Sequence, residues 1–492
     1  MTLPSVSASK QKSLADFPRV RALWEHQEQA LTRAYPKDYF ALFFETGTGK
    51  TLTALTIARS WMYRSGRTMR TLVLSPPITL QNWRNEWLAG SNFSACNVAV
   101  AHGHGDKRCS VFEDKSNAVV ITNYESLISP KVFKAIEKWK PEIIIFDESH
   151  RVKSHSAKRT KQAFQLAQNA KHRLILTGTP ILNSPMDIFS QWKILDLGED
   201  FGKNFFQFRG EYFYDKNARM PSHIHFPKWE IREDSLDIIK DKIAQNSMFV
   251  AKSACLDLPP LVKTVVKVPL SSEQRKVYND MAKDLIAYVA SGVSVARLAL
   301  TKAMRLQQIV SGFINVEDAN GETKNHEIED NPRLSALSEL LSDRAEGSKC
   351  IVWASFRHNY RQIAAVCEKL NLPYVEIHGD KTQKEKDTAV KEFNENDSVR
   401  VCIGHPGSGG IGVNLTSSNV TIFYSRSFSL EHDIQAEARN YRGGSEIHEK
   451  VTRIDLVAED TIDEYIAAKL EGKQAISDSV LHELVNLLER EQ

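Results

Sequence analysis

The sequence has no long apolar run, few cysteines and little excess of charge of either sign. No stretch approaches the eighteen or so uninterrupted apolar residues that a membrane-spanning helix needs, and the strongest run, residues 143–146, has the length of a strand. The six cysteines are scattered without a C-x-x-C pair, so neither a disulfide framework nor a zinc ribbon is indicated. We therefore expect a cytoplasmic protein with no membrane contact, or a nuclear one if the source is eukaryotic.

The charge balance excludes a polybasic nucleic-acid binder of the histone type. The 64 Lys and Arg residues against 61 Asp and Glu leave a formal net charge of +3, so a nucleic-acid surface would have to come from local clustering. Apolar residues make up 42% of the chain and charged residues 25%, which is ordinary globular composition. The 492 residues allow about three domains, or two large ones with insertions.

Short apolar runs alternate with amphipathic stretches in two separate parts of the chain. Each run predicts a buried strand, and together they cover residues 71–75, 118–122, 142–146, 173–177, 349–353, 374–378, 399–403 and 420–424. Strands that alternate with helices predict an α/β fold with two doubly wound parallel-sheet lobes.

The composition between these two parts predicts the domain boundaries. We expect an N-terminal tail over residues 1–22, lobe 1 over 23–200, a helical insertion and linker over 201–332, lobe 2 over 333–470 and a C-terminal helix over 471–492. Residues 317–332 are polar and mostly acidic, with Gly321 and Pro332 as breakers, which predicts a solvated linker. This arrangement leaves no room for an appended nuclease, zinc or chromatin-reading module.

A glycine-containing loop follows an apolar strand and opens a helix. Residues 40–44 predict the strand, residues 45–51 (ETGTGKT) the loop, and residues 52–60 the helix. Gly47 and Gly49 would let backbone N–H groups approach phosphates, Lys50 would add positive charge near the β- and γ-phosphates, and Thr51 would ligate Mg²⁺. Phe44 stands where the strict pattern has its first glycine, and the alternative is a chance turn before a helix.

Two adjacent carboxylates end the strongest apolar run. Asp147 and Glu148 follow residues 143–146, and the carboxyl end of such a strand is where this fold class exposes its chemistry. Asp147 would hold Mg²⁺, and Glu148 would polarise the water that attacks the γ-phosphate. The alternative is an acidic solvated turn. The glycine-containing loop earlier in the chain makes this alternative less favoured, because the two patterns occur in the order and separation expected of a nucleotide site.

A third pattern carries two arginines near the C-terminus. Gln435, Arg439 and Arg442 are spaced i, i+4 and i+7, which predicts one face of a helix. Taken alone, a surface helix with salt bridges is the simpler interpretation. Combined with the first two patterns, the spacing favours arginines of the second lobe that stabilise transition-state charge on a nucleotide held by the first.

These segments resemble the helicase superfamily-two ATPases, and within them the Swi/Snf-type double-stranded DNA translocases, over about residues 23–469. The superfamily is indicated by residues 46–51, 147–150, 177–180 and 435–442. The narrower family is indicated by residues 75–83 with Glu86, by 150–154, 176–183, 258–260 and 268–278, and by 409–416. The resemblance implies RecA-like lobes, the cofactors ATP and Mg²⁺, and duplex DNA held through its phosphates with little sequence specificity.

The same resemblance assigns residues to roles. It makes Lys50, Glu148, Arg439 and Arg442 catalytic and assigns Mg²⁺ to Thr51 and Asp147. ATP contacts would come from Gln27, which would recognise adenine, and from Thr46, Gly47, Thr48, Gly49, Lys50, Thr51 and Gly412. Coupling of nucleotide state to DNA would come from Thr177, Gly178, Thr179 and Gln435.

Some positions depart from the family pattern or stay undecided. Ser149 stands where alanine is usual, and Gly407 stands where a basic residue is more common, which puts one phosphate contact in doubt. Trp83 matches a family position, but its helical spacing from Trp87 favours a core role over a DNA-stacking one. Basic residues that could line a duplex path, with a solvated helix face as the alternative, are Lys153, Lys158, Arg159 and Lys161.

The sequence thus predicts an ATP-dependent translocase on duplex DNA that remodels or displaces bound protein or DNA structures. A strand-separating helicase or a fork and branch remodeller would use the same motor. A nucleotide-gated DNA clamp without turnover is the alternative from another class, and Glu148 with the two arginines argues against it. By analogy, so compact a motor resembles bacterial or phage forms, and a protein partner could supply its targeting.

Overall fold

The computed structural model describes residues 12–178, 180, 184–220, 227–255, 258–290, 296–317, 323–344, 347–407 and 413–471. The chain divides into two compact units, Met1–Cys255 and Leu256–Gln492. No helix among the described residues is long and apolar enough to cross a membrane.

The first unit alternates strands with helices. Its strands are β1 (Tyr39–Phe44), β2 (Thr71–Leu74), β3 (Val98–Val100), β4 (Val119–Thr122), β5 (Ile143–Asp147), β6 (His172–Leu176), β7 (Phe213–Asp215), β8 (Trp229–Ile231) and β9 (Ser247–Val250). Its helices are α1 (Glu25–Ala34), α2 (Lys50–Ser65), α3 (Leu80–Gly90), α4 (Gly105–Glu113), α5 (Glu125–Ile128), α6 (Pro130–Trp139), α7 (Lys158–Asn169), α8 (Ile188–Asp196), α9 (Phe205–Tyr212) and α10 (Ser235–Ala244).

Seven strands of this unit form one parallel sheet in the order β3-β4-β2-β5-β6-β1-β9. Every residue of β2, β4, β5 and β6 is buried, as expected for a sheet covered by helices on both faces. The five strands predicted in this part of the chain, including residues 40–44, are confirmed to within one or two residues. Because the strands are parallel, the segments that follow β1, β2, β5 and β6 leave from the same edge.

Apolar side chains fill both faces of this sheet. One cluster includes Trp61, Trp83 and Trp87, and the other includes Trp192 with Phe208 and Tyr212 of α9. Phe17 is 3% exposed within the first cluster, so the described part of the predicted N-terminal tail packs onto the unit.

The predicted insertion, residues 201–332, divides between the two units. Among its early aromatic residues, Phe208, Tyr212 and Phe213 pack into the core of the first unit, whereas Phe206 and Tyr214 are exposed. β9 pairs in parallel with β1. β7 and β8 form a two-stranded antiparallel sheet beside α9. β9 completes the edge of a sheet whose other strands lie far upstream, so its pairing leaves no local signal in the sequence.

The second unit has eight strands and seven helices among its described residues. The strands are β10 (Leu261–Val268), β11 (Phe313–Glu317), β12 (Thr323–Glu327), β13 (Cys350–Trp353), β14 (Tyr374–Ile377), β15 (Val401–Gly404), β16 (Val420–Phe423) and β17 (Val451–Ala458). The helices are α11 (Ser272–Ala290), α12 (Ala296–Val310), α13 (Pro332–Arg344), α14 (Arg357–Lys369), α15 (Gln383–Glu395), α16 (Leu430–Glu437) and α17 (Ile462–Glu471).

Six of these strands form a second parallel sheet in the order β10-β17-β16-β13-β15-β14. The four predicted strands of this half are confirmed, and the two parallel sheets confirm the predicted fold class. β17 was not predicted, because Thr452, Arg453 and Asp455 interrupt its apolar pattern although all of its residues are buried.

The prediction of a solvated linker over residues 317–332 was wrong in part. β12 pairs with β11 in antiparallel register, with Phe313 opposite Glu327. The two strands are joined by backbone hydrogen bonds, which a polar sequence can form. The buried side chains of Phe313 and Ile328 attach this pair of strands to the rest of the unit. α13 begins at Pro332, where proline fits the first helical position. The predicted C-terminal helix lies outside the described residues, since α17 ends at Glu471.

Candidate active site

The glycine-containing loop has the backbone shape that its sequence predicts. Gly47 and Gly49 take left-handed conformations, with φ of 94° and 81°, and α2 begins at Lys50. The positive φ at Gly49 favours glycine, and a Cβ atom at this position would lie 2.2 Å from Nε2 of Gln27 and would have to displace that amide. The free N–H groups of the first turn of α2 make this loop suitable for an anion.

Side chains of the loop hold its shape from within. Thr48 is fully buried and its hydroxyl donates to the carbonyl of Glu45 at 2.8 Å. Lys50 Nζ donates to the carbonyl of Phe44 at 2.9 Å. Thr46 and Thr51 are partly exposed. The Lys50 ammonium therefore stays at the loop, where it can reach a bound phosphate.

Gln27 contacts this loop directly. It is 2% exposed on α1, its Oε1 accepts from the backbone N of Trp24 at 2.8 Å, and its Nε2 donates to the carbonyl of Gly49 at 3.2 Å. His26 Nε2 lies 2.9 Å from the carbonyl of Thr48. The Gln27 amide keeps a second donor hydrogen and a second lone pair beyond these two bonds, which adenine recognition would use.

Asp147 lies at the buried end of β5, and its carboxylate accepts three hydrogen bonds. Its Oδ2 accepts from Ser75 Oγ at 2.6 Å and from Trp83 Nε1 at 2.7 Å, and its Oδ1 accepts from the backbone N of Glu148 at 3.1 Å. Burial raises the pKa of Asp147 and the neighbouring Glu148 raises it further, while Ser75, Trp83 and Lys50 oppose the rise.

The contacts of Ser75 and Trp83 with Asp147 were missed by sequence reasoning. The sequence favours Trp83 as a core residue, and the side chain is indeed only 1% exposed. Its indole N–H also donates a hydrogen bond to the Asp147 carboxylate. The available signal is topological: Ser75 directly follows β2, the neighbour of β5, and Leu74 pairs with Phe146. Their contact thus depends on the pairing of two strands that are far apart in sequence.

Glu148 adopts a left-handed backbone conformation with φ of 50°, which is uncommon for a residue other than glycine. It precedes a short 3₁₀ turn, Ser149–Val152, and its Oε2 lies 3.4 Å from Nδ1 of His150. The two neighbouring carboxylates contact different residues, Asp147 with Ser75 and Trp83, and Glu148 with His150. Adjacent carboxylates can therefore serve different partners.

The segment after β6 meets both the acidic residues and the loop. Thr177 Oγ1 lies 3.3 Å from Nδ1 of His150, so His150 lies between Glu148 and Thr177. A Cβ atom at Gly178 would lie 3.2 Å from the carbonyl oxygen of Phe44 and 3.5 Å from Lys50 Nζ. Thr179 lies outside the described residues. The structure thus brings together the predicted site residues of the first unit that it describes.

The residues at this edge suit a magnesium–nucleotide complex. Mg²⁺ prefers oxygen ligands, and the Asp147 carboxylate and the Thr51 hydroxyl supply them. Asp147 Oδ1 has lone pairs left after its single hydrogen bond from Glu148 N. The backbone N–H groups of the glycine-containing loop and the Lys50 ammonium supply the hydrogen-bond donors and the positive charge that bind phosphates.

The predicted helix over the two arginines was wrong. α16 ends at Glu437, and the chain then turns, with Arg439 N bonded to the carbonyl of Ala436. Arg439 is 2% exposed, and its Nε donates to the carbonyl of Gln435 at 2.7 Å, which satisfies a carbonyl at the helix end. Gln435, Arg439 and Arg442 therefore do not share one helical face. The predicted ATP contact Gly412 lies outside the described residues.

Arg442 has a different environment from Arg439. Its guanidinium makes no hydrogen bond or ion pair with any described residue, and its Nε is buried without a partner. Burial lowers the pKa of Arg442, since no carboxylate compensates. A partly desolvated cation without a counter-charge is suited to accept an anionic ligand.

A buried ionic network fixes α16 to the sheet of the second unit. Arg453 on β17 contacts Asp433 at 3.0 Å, Glu437 at 2.8 Å and Asp455 at 3.0 Å. Arg426 contacts Asp433 at 2.9 Å. Burial opposes ionisation of Asp433, but the two arginines hold its pKa below the usual value. This network was not predicted, because its members are scattered over β17, α16 and the segment between β16 and α16.

Only some of the four basic residues predicted to line a duplex path are exposed in the structure. Lys153 forms an ion pair with Asp187 at 3.1 Å and is half-buried. Lys158 and Lys161 are exposed on α7, and Arg159 is half-buried. Lys158 Nζ also donates to the carbonyl of Ile128 at 3.2 Å. Two exposed lysines of the predicted four are thus the strongest candidates for phosphate contacts.

Comparison with known proteins identifies the relatives of this chain. It is 26% identical over 449 residues to putative protein p41 of Acyrthosiphon pisum secondary endosymbiont phage 1, covering 88% of this chain and 92% of that protein. It is 27% identical to the chromodomain-helicase-DNA-binding protein 1-like of Danio rerio, covering 89% of this chain and 41% of that one. An uncharacterised ATP-dependent helicase of Mycoplasma genitalium is 25% identical, and the match covers 43% of it. The chain thus spans less than half of these two longer relatives.

A solved structure, the Sulfolobus solfataricus SWI2/SNF2 ATPase core in complex with dsDNA, is 23% identical with a TM-score of 0.43, covering 96% of both chains. The model of the SNF2-related domain matches residues 40–313, and that of the helicase conserved C-terminal domain matches residues 332–444. Because the first model alone covers more than half of the chain and includes the loop, Asp147 and Glu148, this protein belongs to the SNF2-related family of superfamily-two helicase-like ATPases.

Proposed function

We propose that this protein is an ATP-dependent translocase on double-stranded DNA, which moves along the duplex and remodels or displaces what is bound there. One observation carries the proposal: the glycine-containing loop, the Asp147–Glu148 pair and the Thr177–Gly178 segment meet at one sheet edge in a chain of the SNF2-related family. That arrangement suits hydrolysis of a nucleoside triphosphate coupled to movement.

Each residue then has a physical task. The loop amides and Lys50 bind the phosphates, and Glu148 orients and polarises the attacking water. Mg²⁺, held by Thr51 and Asp147, would neutralise charge on the phosphate oxygens. Ser75 and Trp83 keep the Asp147 carboxylate in place. Gln27 holds Gly49 and would contact the base.

Arg442 would supply positive charge to the transition state. Removing such an arginine typically costs on the order of 10³ to 10⁵ in rate. We expect Arg442→Ala to lower the DNA-stimulated rate by that order while the second unit stays folded, because the side chain has no partner among the described residues. A rate within about twofold of the wild type would contradict this role. Arg439 is proposed as its companion and as a clamp on Gln435.

Duplex DNA is proposed as the partner on grounds of relationship and charge. The curated relatives include proteins named for chromodomain, helicase and DNA binding. Because the net charge of the chain is close to zero, contacts with DNA phosphates would have to come from exposed basic residues such as Lys158 and Lys161. Binding should therefore be directed at the phosphate backbone and should weaken steeply with salt. Charge reversal at both lysines should reduce the salt slope.

The deciding experiment is steady-state ATP hydrolysis with four additions: none, single-stranded DNA, duplex DNA and duplex RNA. Glu148→Gln serves as the blank, because it keeps the size and removes the base. Strong stimulation by duplex DNA supports the proposal and leads to a triplex-displacement assay. Stimulation mainly by single strands, with unwinding of a tailed duplex, would favour a strand-separating helicase instead. Nucleotide-dependent DNA binding without turnover would indicate a clamp.

A further inference from the structure

Ser149 forms a buried hydrogen bond that an alanine at this position would lack. Ser149 follows Glu148 directly, and its Oγ donates to Oε1 of Gln191 at 2.7 Å. Both residues are fully buried. Gln191 belongs to α8, which follows the Thr177–Pro180 segment in the chain. A residue of α8 is thus attached to the turn that carries Glu148.

The amide of Gln191 also holds the other segment. Its Nε2 donates to the carbonyl of Pro180 at 2.8 Å and to the carbonyl of Asp187 at 2.8 Å. Carbonyl oxygens only accept, so they fix the amide nitrogen on their side and leave the amide oxygen for Ser149. Both donor hydrogens of Gln191 are therefore used, and its oxygen has the one remaining contact.

Gln191 consequently connects two segments that the site needs in a fixed relation. On one side is the 3₁₀ turn Ser149–Val152 behind Glu148, and on the other is Pro180, at the end of the segment that begins at Thr177. α8 packs against that turn and contributes Trp192 to the core, so Gln191 sits on a rigid support. A displacement of the turn would break the buried bond from Ser149, and a displacement of Pro180 would break the part-buried bond from Gln191 Nε2.

We propose that Gln191, together with Ser149, is a positioning residue that makes the turn behind Glu148 and the Thr177–Pro180 segment move as one body, and thereby couples ATP hydrolysis to DNA binding. The inference rests on the proposed function, because coupling presupposes that DNA stimulates hydrolysis. Without the connection the two segments respond separately: nucleotide still binds and is hydrolysed slowly, but DNA no longer accelerates the reaction.

The test compares the ratio of DNA-stimulated to basal kcat in Gln191→Leu, Ser149→Ala and the double variant. Leucine keeps most of the volume and removes all three bonds. We expect Gln191→Leu to lower the ratio about tenfold and Ser149→Ala about threefold, the scale that loss of such bonds gives in a rate. The double variant should be no worse than Gln191→Leu, because both substitutions remove the same contact. KM for ATP should stay within about twofold.

Gln274→Leu is the matched control. Gln274 is also buried, accepts from Ser271 N at 3.2 Å and donates to the carbonyl of Ile309 at 3.1 Å, but it lies in α11, which carries none of the predicted site residues. The Gln274→Leu variant should lose about as much folding stability as Gln191→Leu, but its ratio of DNA-stimulated to basal kcat should equal that of the wild type. This comparison separates coupling from a general loss of packing.

Every outcome decides the inference. Equal loss of basal and stimulated rates, or an unchanged ratio in Gln191→Leu, would overturn it while the proposed function stands. If Gln191→Leu fails to fold, Ser149→Ala decides, and an unchanged ratio there overturns the inference. A wild-type protein that duplex DNA does not stimulate would refute the proposed function and, with it, the coupling.

Discussion

Replacing Trp83 by phenylalanine tests whether its indole stabilises the buried carboxylate of Asp147. The substitution removes the N–H donor at 2.7 Å and leaves a small cavity. A hydrogen bond to a charged group contributes about 1.5–3 kcal/mol, more than a bond between neutral groups. The cavity adds a second cost, so the variant by itself does not isolate the bond.

Trp87 supplies the control for that cavity. It lies one turn later on α3, is equally buried, and its Nε1 has no hydrogen-bond partner among the described residues. Trp87→Phe therefore removes the same indole without breaking a bond. We expect Trp83→Phe to reduce the free energy of unfolding by about 1.5–3 kcal/mol more than Trp87→Phe does.

Urea unfolding followed by far-UV circular dichroism measures this difference without relying on tryptophan fluorescence. With a urea m value of about 2 kcal/mol/M, a 2 kcal/mol difference separates the two midpoints by about 1 M. The first unit's transition is the one to compare, since two units need not unfold together. In an Asp147→Asn background the extra cost should shrink, because the bond is then neutral. Equal losses in the two tryptophan variants, or an undiminished cost beside Asn, would refute the reasoning.

Three further predictions follow from other parts of the structure. Gly49→Ala should abolish binding of a fluorescent ATP analogue, because the position has φ of 81° and a Cβ would displace the Gln27 amide from the loop, whereas Gly105→Ala, with nothing within 4 Å, should bind normally. Arg453→Met should destabilise the second unit by about 3 kcal/mol in a thermal or urea melt, because the buried carboxylates of Asp433 and Asp455 then lose one of the two arginines that contact them. With a thiol reagent at pH 8, exposed Cys96 should react first and Cys350 only on unfolding, because burial raises the pKa of Cys350 to about 12 and the thiolate is the reactive form.

The sequence was sufficient wherever function depends on consecutive residues. The strand, the loop and the helix around Lys50 are encoded in one continuous segment, and so is the acidic pair at the end of β5. Their alignment at one edge follows from parallel pairing, which alternation of strands and helices already predicts. The fold class and the family could therefore be predicted before any coordinates.

The remaining parts depend on contacts between distant segments, for which a single sequence carries no signal. Ser75 and Trp83 reach Asp147 only because β2 lies beside β5. Nothing in the sequence around Gln191 distinguishes it from other helical glutamines, and its hydrogen bond with Ser149 is visible only in the structure. The helix predicted over residues 435–442 was wrong, because spacing alone does not reveal that α16 ends at Glu437 and that Arg439 turns back onto the carbonyl of Gln435.

The position of β9 has a consequence for how the protein is made. β1 pairs with β6 on one side, and its other side is completed only by β9, about 200 residues later in the chain. At a synthesis rate of about 5–20 residues per second, roughly 10–40 seconds separate the appearance of these two strands. During that interval the emerging polypeptide presents an apolar strand with unpaired backbone groups, which is a template for wrong pairing. Slow translation before residue 250 should therefore lower the yield of native protein, and a chaperone that shields extended segments should restore it.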